Sequence, residues 1–591
     1  MLVRREEAEC FTSDSYTLRF DTERPFVTLS DSGGSVTAEL FALAGVNTET
    51  GLDDAARIGE WTRTESTASV DYSLDVVSSV WERKTVRFRC FPTRFLHEVE
   101  VEGCGFLTGI TYFGGYMSAV PRWGSGFFLS GHAFTRLFNP EPNTEDRNYL
   151  SPDAGSVIDL TGAPLPGKRH WFFNPPPFCF GAESPTGWIG FGVETAPGQN
   201  RFTEYRYHGA DGFWLSLSYE GHTEVRGTYV LPAIGVDFGT SEYEVLAAHA
   251  DGLRRVGRAP DIHRARPEWW SRPMFCGWGA QCARAADELG RESPRAFLAA
   301  MAHARDYARQ TEYERFLSTL ASHGIRPGTV VLDDKWQSTY GENEVDSEKW
   351  PDLPGFVARR HAQGQRVLLW LKAWDREGVP DEECIRNAAG LPLSVDPTNP
   401  AFETRLRASV RRMLGPDGYD ADGFKIDFTH RIPVGPSLGL HGDTWGLELM
   451  KRYLEIIYDE AKRVKDESLV MTHTPNPYLA DVTDMIRLND MLDLTRLDDP
   501  TAGMDIGRTL THRAAVARIA CPDALIDTDN WPVRSRAVWR DYARLQPSLG
   551  VPSLYFSTEI DLTGEPLEET DYELIREAWN GINSPCPAGT G

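Results

Sequence analysis

Two ionisable side chains, Lys425 and Asp427, stand one residue apart in the segment Ala421-Asp422-Gly423-Phe424-Lys425-Ile426-Asp427-Phe428. The segment has the composition of a short buried strand, in which alternate side chains point to the same face. Burying a charged pair inside a strand is costly, whereas strand ends at the mouth of a parallel barrel regularly hold functional groups. The pair is therefore either a salt bridge at a strand end or part of a reaction site.

The segment lies in a region where apolar runs alternate with helical patterns, which is typical of βα units. Eight strands are predicted, at Pro273–Trp278, Thr329–Asp333, Arg366–Trp370, Gly423–Phe428, Leu469–His473, Leu492–Leu494, Ala524–Asp527 and Ser553–Phe556. Helices are predicted at Pro294–Ala308, Leu353–Gln363, Phe402–Leu414 and Trp445–Lys465. This number of strands in about 290 residues fits a (β/α)8 TIM barrel, although the interval between the fifth and sixth strands is short for a helix.

Polar or aromatic residues follow nearly all of these strands. They are Trp278; Asp333, Asp334, Lys335, Trp336 and Gln337; Lys372, Trp374 and Asp375; Lys425 and Asp427; His473; Arg496, Asp498 and Asp499; and Asp527 and Asp529. Because the carboxyl ends of parallel barrel strands meet at one face, we expect these side chains to form one pocket there.

The chemistry of this set favours a neutral, polyhydroxylated ligand, since carboxylates accept hydrogen bonds from hydroxyl groups and indole rings stack on sugar rings. The sequence has no glycine-rich phosphate loop and no metal-ligand spacing, so neither a cofactor nor a metal is predicted. Two carboxylic acids without a cofactor suit glycoside hydrolysis. Asp427 suits the nucleophile because Lys425 would keep it ionised, and Asp498 and Asp499 could supply the acid because adjacent carboxylates raise each other's pKa.

Four segments together resemble glycoside hydrolase family 36, within the clan that also contains families 27 and 31. They are Gly277-Trp278, Val331-Leu332-Asp333-Asp334-Lys335-Trp336-Gln337, Asp422-Gly423-Phe424-Lys425-Ile426-Asp427 and Arg496-Leu497-Asp498-Asp499. The resemblance covers about residues 268 to 562 and is strongest to the raffinose-synthase and alkaline α-galactosidase branch. It implies a retaining α-glycosidase with a barrel preceded by a β-sandwich.

The resemblance also implies roles for individual residues. Asp427 corresponds to the nucleophile and Asp499 to the acid/base, with Asp498 as the alternative acid. The substrate-binding residues expected on this basis or from their strand-end positions are Trp278, Asp333, Asp334, Trp336, Lys372, Trp374, Lys425, His473 and Arg496.

Several positions depart from the family pattern. The segment after Arg496 is one residue shorter than the family's and lacks its serine, and Lys335 replaces the usual glycine. The second tryptophan of the first-strand motif is missing after Gly279. The chain beyond Asp561 is short, so we expect the C-terminal β domain common in the clan to be very small or absent.

The region before the barrel has the composition of a β domain. Short β-branched or aromatic segments occur at Ser15–Phe20, Val86–Phe91, Phe95–Val101, Phe213–Tyr219 and Gly227–Leu231, and the first helical pattern is Ser241–Arg255. These features predict an antiparallel β-sandwich over residues 1–260, a barrel over 261–565, and a short C-terminal helix and tail over 566–591. Two aromatic stretches, Tyr112–Gly124 and His170–Pro177, are either ordinary loops or walls of a sugar site.

The composition of the chain argues against several classes of binding partner. A net charge of −25 argues against a nucleic-acid partner. No apolar run is long enough to span a bilayer and the N-terminus has no signal-peptide pattern, so a cytoplasmic protein without a membrane partner is expected. Nine scattered cysteines favour free thiols. Whether the chain forms a homo-oligomer is left open.

These observations predict an exo-acting retaining α-glycosidase, with α-galactosidase as the first choice. A hydrolase of another α-sugar, such as an N-acetylgalactosaminide or a glucoside, uses the same residues, and so does a transglycosidase of raffinose-synthase type. A non-catalytic sugar-binding protein is the alternative from another class. We expect such a protein to have lost at least one of the catalytic carboxylates, and all of them are present.

Overall fold

The computed structural model of the protein describes residues 9–120, 124–141, 148–161, 173–488, 490 and 505–580. In the N-terminal part, short segments with alternating buried and exposed side chains form antiparallel strands. In Tyr16–Phe20, for example, the first, third and fifth side chains are buried, as expected for a strand with one face on a core.

The strands of this part are β1 (Cys10–Thr12), β2 (Tyr16–Phe20), β3 (Phe26–Asp31), β4 (Val36–Phe41), β5 (Ala44–Thr48), β6 (Asp54–Ile58), β7 (Thr62–Glu65), β8 (Val70–Ser78), β9 (Arg83–Cys90), β10 (Arg94–Tyr112), β11 (Gly114–Val120), β12 (Gly124–Leu129), β13 (Gly131–His132), β14 (Arg136–Phe138), β15 (Tyr149–Leu150), β16 (Ser156–Asp159), β17 (Cys179–Ser184), β18 (Gly187–Glu194), β19 (Glu204–Gly209), β20 (Phe213–Val230) and β21 (Ala233–Gly239).

These strands form two sheets, one with the order β1-β2-β3-β4-β13 and a larger one built along β12-β11-β6-β8-β9-β10-β21-β18-β17-β14-β15. The long strands β10 and β20 pair with each other over most of their length. The segments Phe213–Tyr219 and Gly227–Leu231, predicted as two strands, belong almost entirely to the single strand β20. Buried aromatic rings pack between strands, such as Tyr16 stacked on Phe238 with centroids 4.9 Å apart.

The second part contains eight parallel strands in one sheet. A separate antiparallel hairpin, β25 (Cys384–Arg386) and β26 (Pro392–Val395), lies outside this sheet. The eight strands of the sheet are β22 (Met274–Cys276), β23 (Thr329–Leu332), β24 (Arg366–Lys372), β27 (Gly423–Asp427), β28 (Leu469–Thr472), β29 (Met485–Arg487), β30 (Leu525–Asp527) and β31 (Ser553–Leu554).

The parallel sheet has the order β30-β29-β28-β27-β24-β23-β22-β31 and its ends meet. The backbone amide of Val551, just before β31, donates to the carbonyl of Ile526 in β30 at 2.7 Å, and the amide of Thr528 donates to the carbonyl of Val551 at 3.0 Å. The sheet therefore closes into a barrel. All five side chains of β27 are buried, as expected where a parallel sheet is covered on both faces.

Helices surround the barrel and several begin at capping residues. Ser293, Asp352, Asp505 and Ser535 each accept a hydrogen bond from a backbone amide in the first turn of the following helix. The helices are α1 (Glu242–Arg255), α2 (Trp278–Leu289), α3 (Pro294–Met301), α4 (Gln310–Ser322), α5 (Leu353–His361), α6 (Pro400–Leu414), α7 (Gly446–Val464), α8 (Ile506–Ala520), α9 (Arg536–Leu549) and α10 (Glu569–Asn580). Short 3-10 helices lie at Glu268–Ser271, Ala304–Tyr307, Asp381–Glu383, Thr429–Arg431 and Pro477–Val482.

The predicted position of the sixth barrel strand was wrong. The strand between the fifth and the seventh is β29, Met485–Arg487, whereas the predicted segment 492–494 lies outside the described residues. The physical reason is the connection from β28, which contains only the 3-10 helix Pro477–Val482 and no α-helix. The chain therefore returns to the barrel earlier than a helical connection would allow.

Loops of the N-terminal part contact the barrel directly behind the loop that follows β28. The amide of Asn174 donates to the carbonyl of His473 at 3.0 Å. The side chain of Asn476 donates to the carbonyl of Pro176 at 2.8 Å. The amide of Asn200 donates to the carboxylate of Glu448 in α7 at 3.0 Å. The N-terminal part thus supports a loop at the carboxyl end of the barrel.

Eight cysteines lie in the described ranges and all have free thiols, as expected from their scattered spacing. Among the helices of the described part, none combines the length and apolar composition that a bilayer crossing requires.

Candidate active site

A cavity of about 360 Å³ lies at the carboxyl ends of the barrel strands. Six residues predicted from the sequence line it: Trp278, Asp333, Asp334, Lys372, Lys425 and Asp427. They come from β22, β23, β24 and β27 or from the residues directly after these strands. The strand ends on this side of the barrel therefore form one pocket.

Asp427, the last residue of β27, has both carboxylate oxygens held by side chains of two other barrel strands, β24 and β29. The indole nitrogen of Trp370 donates to one oxygen at 2.7 Å, and the guanidinium group of Arg487 donates to the other at 2.9 Å. Burial alone would raise the pKa of Asp427, but the positive charges of Arg487 and Lys425 lower it to about 2. Asp427 is therefore an ionised carboxylate facing the cavity.

Lys425 contributes less to this charge state than the sequence suggested. Its ammonium group lies 3.9 Å from Asp427 but 2.7 Å from Asp333, and it also donates to the hydroxyl of Tyr555 at 3.2 Å. Burial and Arg487 lower the pKa of Lys425, yet the nearby acids Asp333, Cys276 and Asp427 raise it above its ordinary value. Lys425 is therefore a buried positive charge at the bottom of the cavity.

Asp333 is fixed from three sides. It accepts hydrogen bonds from Lys425 and, at 3.0 Å, from the thiol of Cys276, while its backbone amide donates to the hydroxyl of Tyr313 at 2.8 Å. Gly277 leaves the space that Tyr313 occupies, because a Cβ at this glycine would lie 2.1 Å from the tyrosine hydroxyl. Gly277 therefore helps to position Asp333 indirectly, because it leaves room for the Tyr313 hydroxyl that binds the Asp333 amide.

Asp334 lies beside Asp333 but has different partners. The hydroxyl of Tyr340 donates to its carboxylate at 2.7 Å. Its side chain is partly exposed to the cavity, but the surrounding protein still removes enough water to raise the pKa of Asp334 to about 6. The neighbouring charge of Asp333 adds to this shift.

Arg487 links Asp427 to a further carboxyl group that lines the cavity, Asp490. The Arg487 guanidinium group lies 2.8 Å from Asp490 and also contacts Asp529. Burial raises the pKa of Asp490 to about 7, against the lowering effect of Arg487. Two carboxyl groups with opposite pKa shifts therefore share one guanidinium group in this pocket.

Three predicted binding residues lie outside the cavity lining. Trp336 is fully buried and donates to the carbonyl of Trp370 at 2.8 Å. Trp374 donates to the carbonyl of Thr429 and stacks on Tyr453. His473 is buried with its Nε2 atom 3.6 Å from an oxygen of Asp427. None of these three side chains is among the residues that line this cavity, and their contact with substrate stays a prediction.

The predicted residues Arg496, Asp498 and Asp499 lie outside the described residues, and so do residues 170–172 of the stretch His170–Pro177. Asp527 is buried and its pKa is raised to about 7 by burial and by the neighbouring charge of Asp529. Asp529 is also buried, accepts a hydrogen bond from the Tyr555 hydroxyl at 2.6 Å, and contacts Arg487. Neither Asp527 nor Asp529 lines the cavity.

Sequence reasoning missed several lining residues: Arg305, Tyr340, Trp370, Arg431, Arg487, Asp490 and Trp531. Trp370 lies inside an apolar strand, where an indole is ordinarily taken for core. The signal for Arg487 and Asp490 was present, because an arginine and an acid follow the apolar pair Met485-Ile486. Trp531 packs edge-on against Trp278, with centroids 5.8 Å apart, and extends the aromatic wall.

A second cavity, of about 540 Å³, lies between the N-terminal part and the barrel. Its lining includes Tyr149, Tyr243, Arg508 and His512 and none of the barrel strand ends. The smaller cavity contains the clustered carboxylates and the aromatic wall, so we take that cavity as the candidate active site.

The family model "Glycosyl hydrolases family 31 TIM-barrel domain" matches residues 293–434, which include β23, β24 and β27 and end shortly after Asp427. A comparison with curated protein sequences gives no match.

Solved structures with a similar fold have low sequence identity to this chain. A family 31 sulfoquinovosidase from E. rectale, in complex with an aza-sugar inhibitor, has a TM-score of 0.57 and 9% identity, covering 97% of this chain and 82% of the other. An α-galactosidase from Thermus thermophilus in complex with stachyose has a TM-score of 0.51 and 15% identity, covering 88% and 99%. An α-galactosidase from Lactobacillus brevis has a TM-score of 0.51 and 12% identity, covering 99% and 84%.

Proposed function

We propose that this glycoside hydrolase is a retaining, exo-acting α-glycosidase whose substrate is an α-galactoside. The observation that supports this most is the pair Asp427 and Asp490, an ionised carboxylate and a carboxyl group of raised pKa that bind the same guanidinium group. Retaining glycosidases need two carboxyl groups in these opposite states, about 5–5.5 Å apart.

In the proposed reaction Asp427 attacks the anomeric carbon while the second carboxyl group gives its proton to the departing oxygen. The covalent glycosyl–enzyme ester is then hydrolysed by a water that the second group, now ionised, deprotonates. Trp370 and Arg487 hold both oxygens of Asp427, so little reorientation is needed for attack. The exo-acting mode is supported by the position of the cavity at the strand ends of a closed barrel.

Two assignments compete for the acid/base. The family resemblance assigns it to Asp499, or to Asp498 beside it. The surroundings of Asp490 fit the role as well, because burial keeps a large fraction of its carboxyl groups protonated near neutral pH. Asp490 lies three residues after the end of the sixth strand β29, at the barrel end where functional residues collect. We favour Asp490 as the acid/base.

Recognition of the sugar is assigned to Asp333 and Asp334, which the family resemblance matches to acids that bind the O4 and O6 hydroxyls of galactose. Both line the cavity, and Trp278 with Trp531 offers an apolar face for the sugar ring. Galactose is our choice over glucose and N-acetylgalactosamine on the basis of this acid pair.

We further propose that the chain belongs to the clan of families 27, 31 and 36. The family 31 barrel model supports the clan, and placement in the raffinose-synthase branch of family 36 rests on the sequence motifs. The proposed organisation is a β-sandwich over 1–260, a (β/α)8 barrel over 261–565 and a C-terminal segment over 566–591, in a cytoplasmic protein.

A panel of 4-nitrophenyl α-glycosides tests the function: the galactoside, glucoside, N-acetylgalactosaminide and arabinopyranoside, with the β-galactoside as the anomeric control. We expect release of nitrophenol from the α-galactoside above the others. Proton NMR at early times should show α-galactose as the first product, since double displacement retains configuration. Initial β-galactose, or turnover of the β-glycoside alone, would contradict the proposal.

A further inference from the structure

We propose that the mouth of this pocket binds an oxyanion, a carboxylate, sulfonate or phosphate group, that the α-glycoside substrate contains. The inference rests on the proposed function and specifies its substrate class. The groups that would bind the oxyanion are the guanidinium groups of Arg431 and Arg305, which line the outer part of the cavity.

The first observation is the charge of the cavity. Among the residues that the structure describes, its lining contains five cationic side chains and four acidic ones, in a chain whose net charge is −25. The cationic residues are Arg305, Lys372, Lys425, Arg431 and Arg487, and the acidic ones are Asp333, Asp334, Asp427 and Asp490. A pocket for a wholly neutral sugar has no need of a positive excess.

The two deepest cations have partners inside the pocket. Lys425 binds Asp333 at 2.7 Å, and Arg487 binds Asp427 at 2.9 Å and Asp490 at 2.8 Å. All five of these residues are buried. Their charges compensate one another, so the excess positive charge of the lining lies nearer the mouth of the cavity.

At the mouth, Lys372 and its neighbour Lys335 are also paired. Lys372 lies 2.8 Å from Asp375 and Lys335 lies 2.6 Å from Glu377. Both ammonium groups also pack near the ring of Tyr340, 4.0 and 4.1 Å from its centroid. These two pairs are neutral overall.

Arg431 and Arg305 differ from the other cations. Within the described part of the chain, neither guanidinium group has an ion-pair or hydrogen-bond partner, and both residues are exposed. Arg431 lies flat against Phe428, with its guanidinium carbon 4.0 Å from the ring centroid. Phe428 follows Asp427 directly and has a left-handed φ of 63°. Because Arg431 packs on Phe428, its position depends on the end of the strand that supplies the proposed nucleophile.

Arg431 interacts electrostatically with Asp375 first and then with the Tyr340 phenol, and Arg305 interacts with the same phenol, so both cations act near Tyr340. A planar guanidinium group is suited to two parallel hydrogen bonds with a carboxylate, sulfonate or phosphate. A neutral hydroxyl group offers no such match. The mouth therefore has two cationic donor groups that suit an oxyanion, next to a deep site for a sugar ring.

The oxyanion could be on the leaving group, which points out of an exo-acting pocket, or on C6 of the bound sugar. One pair of substrates tests each source. The leaving-group pair is 3-carboxyphenyl and 3-carbamoylphenyl α-galactoside, which differ in charge but little in shape. The sugar pair is 4-nitrophenyl α-galacturonide and 4-nitrophenyl α-galactoside, which have the same leaving group.

The variants are Arg431→Gln, Arg305→Gln and the double substitution, with Arg326→Gln as the matched control. Arg326 is exposed and lies before strand β23, at the opposite end of the barrel. The quantity measured is the ratio of kcat/KM for the anionic member of a pair to that for the neutral member, at low and at high salt.

We expect the full-length wild-type protein to prefer the anionic member of at least one pair by about tenfold or more, the size of a charge-assisted hydrogen bond. The preference should fall toward unity in the double variant and remain in Arg326→Gln. It should also shrink as salt is added, since charges at an exposed mouth are screened. The pair that shows the preference identifies the source of the oxyanion.

A wild-type preference below about twofold in both pairs, the scale of a weak exposed ion pair, would overturn the proposal. A tenfold preference that persists in the double variant would also overturn the assignment to Arg431 and Arg305. Calorimetric binding of the same pairs to Asp427→Asn gives a readout that does not need turnover. If neutral α-galactosides are hydrolysed without any charge preference, only this inference fails. If the protein neither hydrolyses nor binds either pair, the proposed function fails with it.

Discussion

At the scale of single residues, the pocket separates the protonation states of two carboxyl groups that bind one arginine. Asp427 receives hydrogen bonds on both oxygens and has a pKa of about 2, whereas burial raises the pKa of Asp490 to about 7. Pairs of carboxyl groups whose pKa values are pushed apart are typical of acid/base and nucleophile assignments.

Substitution of Asp427 tests the nucleophile. Asp427→Asn keeps the shape of the side chain but removes the attacking charge, so we expect kcat to fall by about 10⁴-fold or more, as for other catalytic groups that act as a unit. Steady-state kinetics with 4-nitrophenyl α-galactoside measures this. Asp417→Asn, an exposed acid on the loop before β27, is the control and should keep full activity. More than a few per cent of wild-type rate in Asp427→Asn would exclude the assignment.

The pH dependence tests Asp490. A general acid must be protonated, so a pKa of about 7 predicts that hydrolysis of an unactivated galactoside declines as the pH rises through about 7. Asp427, with a pKa of about 2, stays ionised and gives no acidic limb above about pH 4. Asp490→Ala should lose most of its rate on an unactivated galactoside but less of its rate on an activated aryl galactoside. Azide should restore turnover of the aryl substrate. If Asp499→Ala shows the azide rescue and Asp490→Ala does not, the family-based assignment is correct.

At the scale of elements, residues at the end of a correctly placed strand, or directly after it, could be predicted from sequence. Asp333, Lys425 and Asp427 belong to this group, because the strand ends fix where they point. Arg487 and Asp490 could not be placed from the sequence. Strand β29 has only three residues and so shows no periodicity, and its predicted position assumed a helix between the fifth and sixth strands. The 3-10 helix Pro477–Val482 replaces that helix and brings the sixth strand forward.

The close approach of β27 and β28 gives a prediction for stability. Gly423 opens β27 with a φ of 152°, and a Cβ there would lie 2.0 Å from the carbonyl oxygen of Leu469. Gly423→Ala must therefore separate the two strands or change the backbone, and we expect the free energy of unfolding to fall by about 2 kcal/mol or more. Urea denaturation measures the change. Gly131→Ala is the control, since a Cβ at Gly131 has no neighbour within 4 Å. Equal stability of the two variants would contradict this account of the strand contact.

At the scale of the whole molecule, the N-terminal part and the barrel form hydrogen bonds close to the proposed nucleophile. Asn174 binds the carbonyl of His473, whose ring lies 3.6 Å from Asp427. Further contacts join the hydroxyl of Tyr243 to His512 at 2.7 Å and Asn200 to Glu448.

These contacts predict that the two parts unfold together. We expect one thermal transition, in which the loss of activity coincides with the loss of tryptophan fluorescence and circular dichroism, because opening the contact removes support from the His473 loop. His512→Ala breaks a contact between the parts and should lower the temperature of this single transition. Two separated transitions, with activity lost in only one, would show that the contact contributes little to cooperativity.

The hydrogen bond from Asn174 to the His473 loop also matters for protein engineering. Chimaeric enzymes are commonly assembled by exchanging a barrel between scaffolds at the linker that joins it to the preceding domain. In this protein such a crossover, near residue 260, would separate the loop behind the proposed nucleophile from the backbone that holds it. A functional chimaera should therefore inherit residues 173–178 together with the barrel, and recombination libraries that keep these segments from one parent should yield a higher fraction of active clones.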